Sequence, residues 1–158
     1  MNNNNPVLGS IELTRGKSFL KLKYYCEVKD GTHDTPSYVD PAENTYPLVT
    51  SKDITEGIMS FEKAKHISED DYVAINKRSN VEKFDVIMPM IGTIGNPAII
   101  ETDEKFSIKN VALFKTNGNV IKAKYLKYLI SSNIVQEQID LLNRGGVQSF
   151  VSLSVLQN

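Results

Sequence analysis

The sequence predicts an α+β fold, a β-rich body followed by C-terminal helices. Short apolar runs separated by Gly, Pro, Asn and Asp occupy most of the chain up to about Thr116. Clear helical spacing appears only after Lys122. Strands therefore come first and helices afterwards, with no regular β-α-β alternation, and this separates the chain from doubly wound parallel folds.

From Phe19 to Val28, apolar, aromatic and Lys residues mix as in a short strand or strand-helix junction, which runs into the stretch "DGTHDTP", Asp30 to Pro36. Tyr46, Leu48 and Val49 predict a strand that ends at the polar pair Ser51-Lys52. Ser68, with Asp71 three residues on, predicts a helix start, and the Val-bearing continuation predicts that this helix is short. In "FDVIMPMIGTIGNPAII", Phe84, Val86, Met88 and Met90 alternate with Asp85, Ile87, Pro89 and Ile91, which suits a buried strand with one edge position at the proline. Gly92 and Gly95 bend the chain before a second strand, Ala98 to Ile100, and "SIKNVALFKT" supplies one more. Tyr125, Leu126, Leu129 and Ile130 share a helical face, as do Ile134, Val135, Ile139 and Leu142 on the next segment, with Gly145-Gly146 as its stop. The core-facing set expected from these helices is Leu126, Leu129, Ile130, Ile139 and Leu142.

A chain of 158 residues with 41% hydrophobic content can bury one sizeable core. Residues 1–18, with Asn2 to Asn5 in a row, read as a flexible leader or an appended remnant, and 19–158 as one domain. The net charge of −1 provides no global positive field, so a nucleic-acid partner would need a local patch. The single Cys26 excludes an internal disulfide framework and suits a reducing cytoplasm. No apolar run approaches the roughly 18 residues of a membrane span, and "MNNNNP" has no signal-peptide core.

Enzyme motifs are missing where they would be diagnostic. "RGKS", Arg15 to Ser18, has Ile11 where a phosphate-binding loop needs its first glycine. "GTIG", Gly92 to Gly95, lacks a third glycine, and Pro97 opposes a helix there. Glu27-Val-Lys29 has the spacing of half a metal-nuclease motif, yet no aspartate precedes it. His33 and His66 are the only histidines, and no Gly-x-Ser-x-Gly elbow occurs. Metal ligands and cofactors are accordingly not expected. "DGTHDTP" can be a base with an orienting carboxylate, part of a metal shell, or a turn; its Asp-Gly and Thr-Pro pairs favour the turn. One charge feature stands out: Lys105, Lys109, Lys115, Lys122, Lys124 and Lys127 lie between Lys105 and Gln136 with no acidic residue among them, which predicts a positive face.

Five stretches, "DGTHDTP", "YPLVTSKDI", "DVIMPMIGTIGNPAII", "IKNVALF" and "GGVQSFVSLSVLQN", resemble in order and spacing the DNA-recognition domain of type I restriction-modification specificity subunits. The resemblance runs from about Phe19 to Asn158. It implies a curved, partly barrel-like sheet with C-terminal helices, and a role in reading one half of a split duplex DNA target. Methyl transfer and cleavage would belong to separate methyltransferase and restriction subunits. Two such domains are normally joined by long helices, so the chain resembles a half-subunit, or an excised recognition domain, that would work with a second specificity half. Under this resemblance "DGTHDTP" is a turn that presents Thr32, His33 and Thr35 to DNA while Asp30 and Asp34 hold the loop. The other expected contacts are Ser51, Lys52, Thr93, Lys105, Lys109, Asn110, Arg144, Gln148 and Ser149. The rival expectations are a protein-binding module or decoy of the restriction complex, and a small hydrolase using His33 and Asp34.

Overall fold

The computed structural model describes residues 12–15, 18–92, 94–143 and 151–157. An antiparallel hairpin, β1 (Glu12–Arg15) and β2 (Ser18–Lys21), comes first, so strand pairing begins within the segment read as a leader. A 3-10 turn at Leu22–Tyr24 leads to β3 (Val28–Asp30). β4 (Thr45–Thr50) forms where Tyr46, Leu48 and Val49 predict it, and a second 3-10 turn follows at Ser51–Asp53. A small hairpin of β5 (Ile54–Thr55) and β6 (Ile58–Met59) precedes β7 (Lys65–Ser68) and α1 (Glu69–Ser79).

α1 is longer than the sequence suggests, at 11 residues. Its start is as expected: the Ser68 hydroxyl accepts the Asp71 N–H. Glu69, Asp70 and Asp71 in the first turn and Lys77 and Arg78 in the last complement the helix dipole. Tyr72 also stacks on Tyr46 of β4 with ring centroids 4.0 Å apart, and this tertiary contact outweighs the low helix propensity of Val73 and Ile75.

The remaining strands are β8 (Val86–Pro89), β9 (Ala98–Ile99), β10 (Ser107–Lys109) and β11 (Val111–Phe114), followed by α2 (Val120–Ile130), α3 (Asn133–Asn143) and the short α4 (Leu153–Gln157). An antiparallel sheet in the order β3-β11-β8-β9 forms the centre, and a second sheet has the order β10-β4-β7 with β10 and β4 parallel. Pro89 falls beyond the two residues of β8 that β9 covers, a position where its missing N–H removes no ladder bond to that strand.

The alternation in β8 and β11 divides two cores. Val86, Met88, Met90, Ala112 and Phe114 face Ala123, Leu126 and Ile130 of α2, Val135 and Ile139 of α3, and Leu156 of α4. Ile87, Val111 and Leu113 face the opposite way, onto Val49, Ile54 and Ile108. Of the helical residues expected inside, Leu126, Ile130 and Ile139 are buried and Leu129 is partly buried. The side chain of Leu142, and the glycine stop at 145 and 146, lie outside the described residues.

Two expectations are corrected. The sheet is not barrel-like: among the described residues there are four separate sheets and none closes on itself. The single strand expected across "SIKNVALFKT" is two strands in different sheets, because Asn110 adopts a left-handed conformation (φ 53°) and turns the chain from β10 into β11. The two larger sheets end in β10 and β7 and in β3 and β9, and among the described residues no ladder joins these edge strands.

Candidate functional site

Asn110 is the point around which three sequence-distant loops assemble. Asparagine is among the few side chains that tolerate the left-handed region, and here its N–H, its carbonyl and its side-chain oxygen are all engaged. Its N–H donates to the Thr32 carbonyl at 3.1 Å. Its carbonyl accepts from the Ser51 hydroxyl at 3.0 Å and from the Met90 N–H at 3.2 Å. Its side-chain oxygen lies 2.9 Å from His33 Nδ1. Gly31 N–H donates to Val111 and Thr32 N–H to Ile108, both at 3.0 Å, so the turn after β3 is clamped across the β10–β11 corner.

The turn at Asp30 to Pro36 is held as expected by Asp30, and differently by Asp34. The Asp30 carboxylate is buried, accepts from His33 Nε2 at 2.8 Å, and is paired with Arg78 of α1. Asp34 is exposed and contributes its backbone carbonyl, which accepts from the Thr32 hydroxyl. The His33-Asp34 couple on which a small hydrolase would rely is therefore not formed. His33 instead spans Asp30 and Asn110, because the turn carries its ring back over β3.

Both partners of the His33 ring are acceptors, so only the imidazolium form satisfies both. The hydrogen bond to Asn110, then that to Asp30, raises the His33 pKa above its ordinary value, against burial and the nearby Arg78 charge. A pKa raised by folding contributes stability that is complete below the unfolded value, about 6.5, and is lost as pH rises through the folded value. In paired thermal melts between mildly acidic and alkaline pH, the wild-type advantage over His33→Gln is expected to be largest at the acidic end and to shrink as pH rises. An advantage that grows with pH would mean that the ring is not held as a cation.

Beside this corner is a groove of about 490 Å³ over the end of β4. Tyr38 and Ile91 give it apolar surface over the buried Leu48, and Lys52, Lys63, Lys65 and Lys109 line its edges. The register explains the arrangement: Lys65 of β7 lies opposite Leu48, and Lys109 of β10 lies opposite Thr50, so β4 is flanked by a lysine on either side. The Lys109 ammonium reaches Thr35 Oγ1 and the His33 carbonyl, fixing the turn to the groove. Asp53, also in the lining, is engaged in a capping box: Thr50 N–H and Thr50 Oγ both donate to its carboxylate at 2.8 Å.

The fold thus gathers Thr32, His33, Thr35, Ser51, Lys52, Lys109 and Asn110 into one region. Lys105 is exposed just before β10, next to Glu101, Asp103 and Glu104 in the chain, and does not line the groove. Thr93, Arg144, Gln148 and Ser149 lie outside the described residues. Sequence reasoning missed Lys63, Lys65, Tyr38 and Arg78; the close spacing of Lys63 and Lys65, one in a turn and one at the start of β7, was the available signal for the first two.

The lysine cluster read as one positive face is dispersed. Lys115 turns inward after β11 and pairs with Asp85 and Glu82. Lys127 donates to the Gly57 carbonyl at 3.1 Å, away from the corner at Asn110. Only Lys109 of the six reaches the groove, and its other lysines come from the segment where acids predominate. Elsewhere, Cys26 is buried, and burial pushes its thiol up to about 11, which keeps it protonated and inert.

No protein-family model matches the chain, and no curated protein matches it. Among the described residues no helix is long and apolar enough to cross a membrane.

Proposed function

We propose that the chain is a DNA target-recognition domain of the type I restriction-modification specificity class. It reads one half of a bipartite duplex target and positions separate methyltransferase subunits, and through them the restriction subunit, while a second specificity half reads the other half-site. A single observation carries this reading: the loops at Thr32 to Thr35, Ser51-Lys52 and Lys109-Asn110 meet at Asn110 on the rim of a groove lined by four lysines.

The division of labour follows from the chemistry. Lysines contact phosphates and set affinity on every sequence, whereas loop hydroxyls and amides reach base edges and set preference. Carboxylates near a phosphate backbone repel it unless engaged, and Asp30 and Asp53 are both engaged here. The chain holds and reads the duplex; methylation and cleavage need its partners.

The test is fluorescence anisotropy on random and selected duplexes across a salt series. If Lys52, Lys63, Lys65 and Lys109 each neutralise one phosphate, the log-log salt slope is about −3.6, at roughly 0.9 per contact. Lys63→Glu and Lys65→Glu are expected to weaken all sequences alike and to flatten the slope. Binding that ignores salt, or no binding to any duplex, would overturn the reading.

A further inference from the structure

Away from the groove, α2 and α3 leave a row of large apolar side chains uncovered. Ile121, Tyr125 and Tyr128 of α2 are 77%, 49% and 77% exposed, and Ile134 and Leu141 of α3 are 50% and 57% exposed. These are not scattered. Ile121, Lys124, Tyr125 and Tyr128 stand at i, i+3, i+4 and i+7, one continuous stripe opposite the buried Ala123, Leu126 and Ile130. The same spacing repeats 13 positions later with Ile134, Glu137, Gln138 and Leu141, opposite the buried Val135 and Ile139. Two adjacent helices thus carry matching apolar stripes whose i+3 position is Lys on one and Glu on the other. Both of those residues are exposed.

We propose that this face binds the same face of a second copy of the chain, with α2 of each copy packed on α3 of the other. Charge selects this pairing over the alternatives. α2 against α2 would place Lys124 beside Lys124, and α3 against α3 would place Glu137 beside Glu137; only the crossed arrangement sets Lys124 against Glu137, and two-fold symmetry forms that contact twice. Ile121, Tyr125 and Tyr128 then cover Ile134 and Leu141 of the other copy, closing a four-helix contact that removes all five exposed apolar side chains from water.

The experiment is sedimentation velocity on the full chain over a wide concentration series. A concentration-dependent dimer is expected. Lys124→Glu and Glu137→Lys are each expected to raise its dissociation constant tenfold or more, on the order expected when like charges meet across an interface. The double variant K124E/E137K restores the dimer, because each copy then again presents opposite charges to the other. Tyr128→Asp should abolish the dimer and leave the melting temperature of the monomer unchanged, since that ring lies outside both cores. A chain that stays monomeric throughout, a dimer indifferent to all four variants, or a double variant no better than the singles would overturn the proposal. None of these outcomes depends on DNA binding.

Discussion

Replacing Lys115 with Met is expected to lower the unfolding free energy by about 3–5 kcal/mol, the cost of leaving a buried charge without its partner. The partner is Asp85, which is 0% exposed. Its carboxylate accepts from Lys115 Nζ at 2.5 Å, from the Glu82 N–H at 2.9 Å and from the Thr116 N–H at 3.0 Å. Lys115 also donates to the Asn80 carbonyl and to Glu82. Burial alone would depress the Lys115 pKa, yet its hydrogen bonds to Asp85 and Glu82 outweigh burial and leave it above the ordinary value, so the ammonium stays charged. The double variant K115M/D85L removes the orphaned charge and is expected to recover only part of the loss, because the Glu82 and Thr116 N–H groups then lack an acceptor. Denaturant titration at neutral pH measures both variants; a change under about 1 kcal/mol in the single variant would show that the pair is not needed to hold β8 to the end of β11.

The second large effect is expected at Gly31→Ala, and it should reach the proposed interface as well as stability. A Cβ at this position would lie 2.1 Å from the Ile108 carbonyl oxygen and 2.4 Å from its carbon. Backbone atoms cannot yield as a flexible side chain does, so the turn after β3 must move away from β10. That movement strains the bonds from Thr32 N–H to Ile108 and from Asn110 N–H to Thr32, and shifts the seats of His33 and Thr35. The expected cost is about 3 kcal/mol, at the upper end for overpacking, together with loss of duplex binding at temperatures where the variant is still folded. Unchanged stability and binding in Gly31→Ala would mean that the corner at Asn110 does not organise the three loops.

How much of this was legible beforehand depends on how local the cause is. The alternation from Phe84 to Ile91 announced a buried strand, because side-chain direction in a strand has a period of two whatever it packs against; that both faces of Val86–Pro89 are covered came from the two cores on either side. Ser68 announced the start of α1, since a cap needs only residues within its own first turn. The division of "SIKNVALFKT" at Asn110 was not legible: an asparagine in an apolar run is compatible with an edge strand, and only the pairing of β10 with β4 and of β11 with β3 and β8 requires a turn there.

The sequence by itself determined the α+β class and the positions of β4, β8 and β9, since these follow from periodicity, turn chemistry and composition; the loops at the groove were expected only through the family resemblance. Only the tertiary structure decided which charges meet. Lys115 and Lys109 both follow strand residues in one lysine-rich stretch, yet one is buried against Asp85 and the other stands at the groove. Lys63 and Lys65 lie among acids in the chain and reach the same groove from β7 and the residues just before it. Charge along the chain is a one-dimensional quantity, whereas an electrostatic surface depends on which way each side chain leaves its strand and which strands lie side by side. Register and strand order set both, and they arise from pairings between residues far apart in sequence.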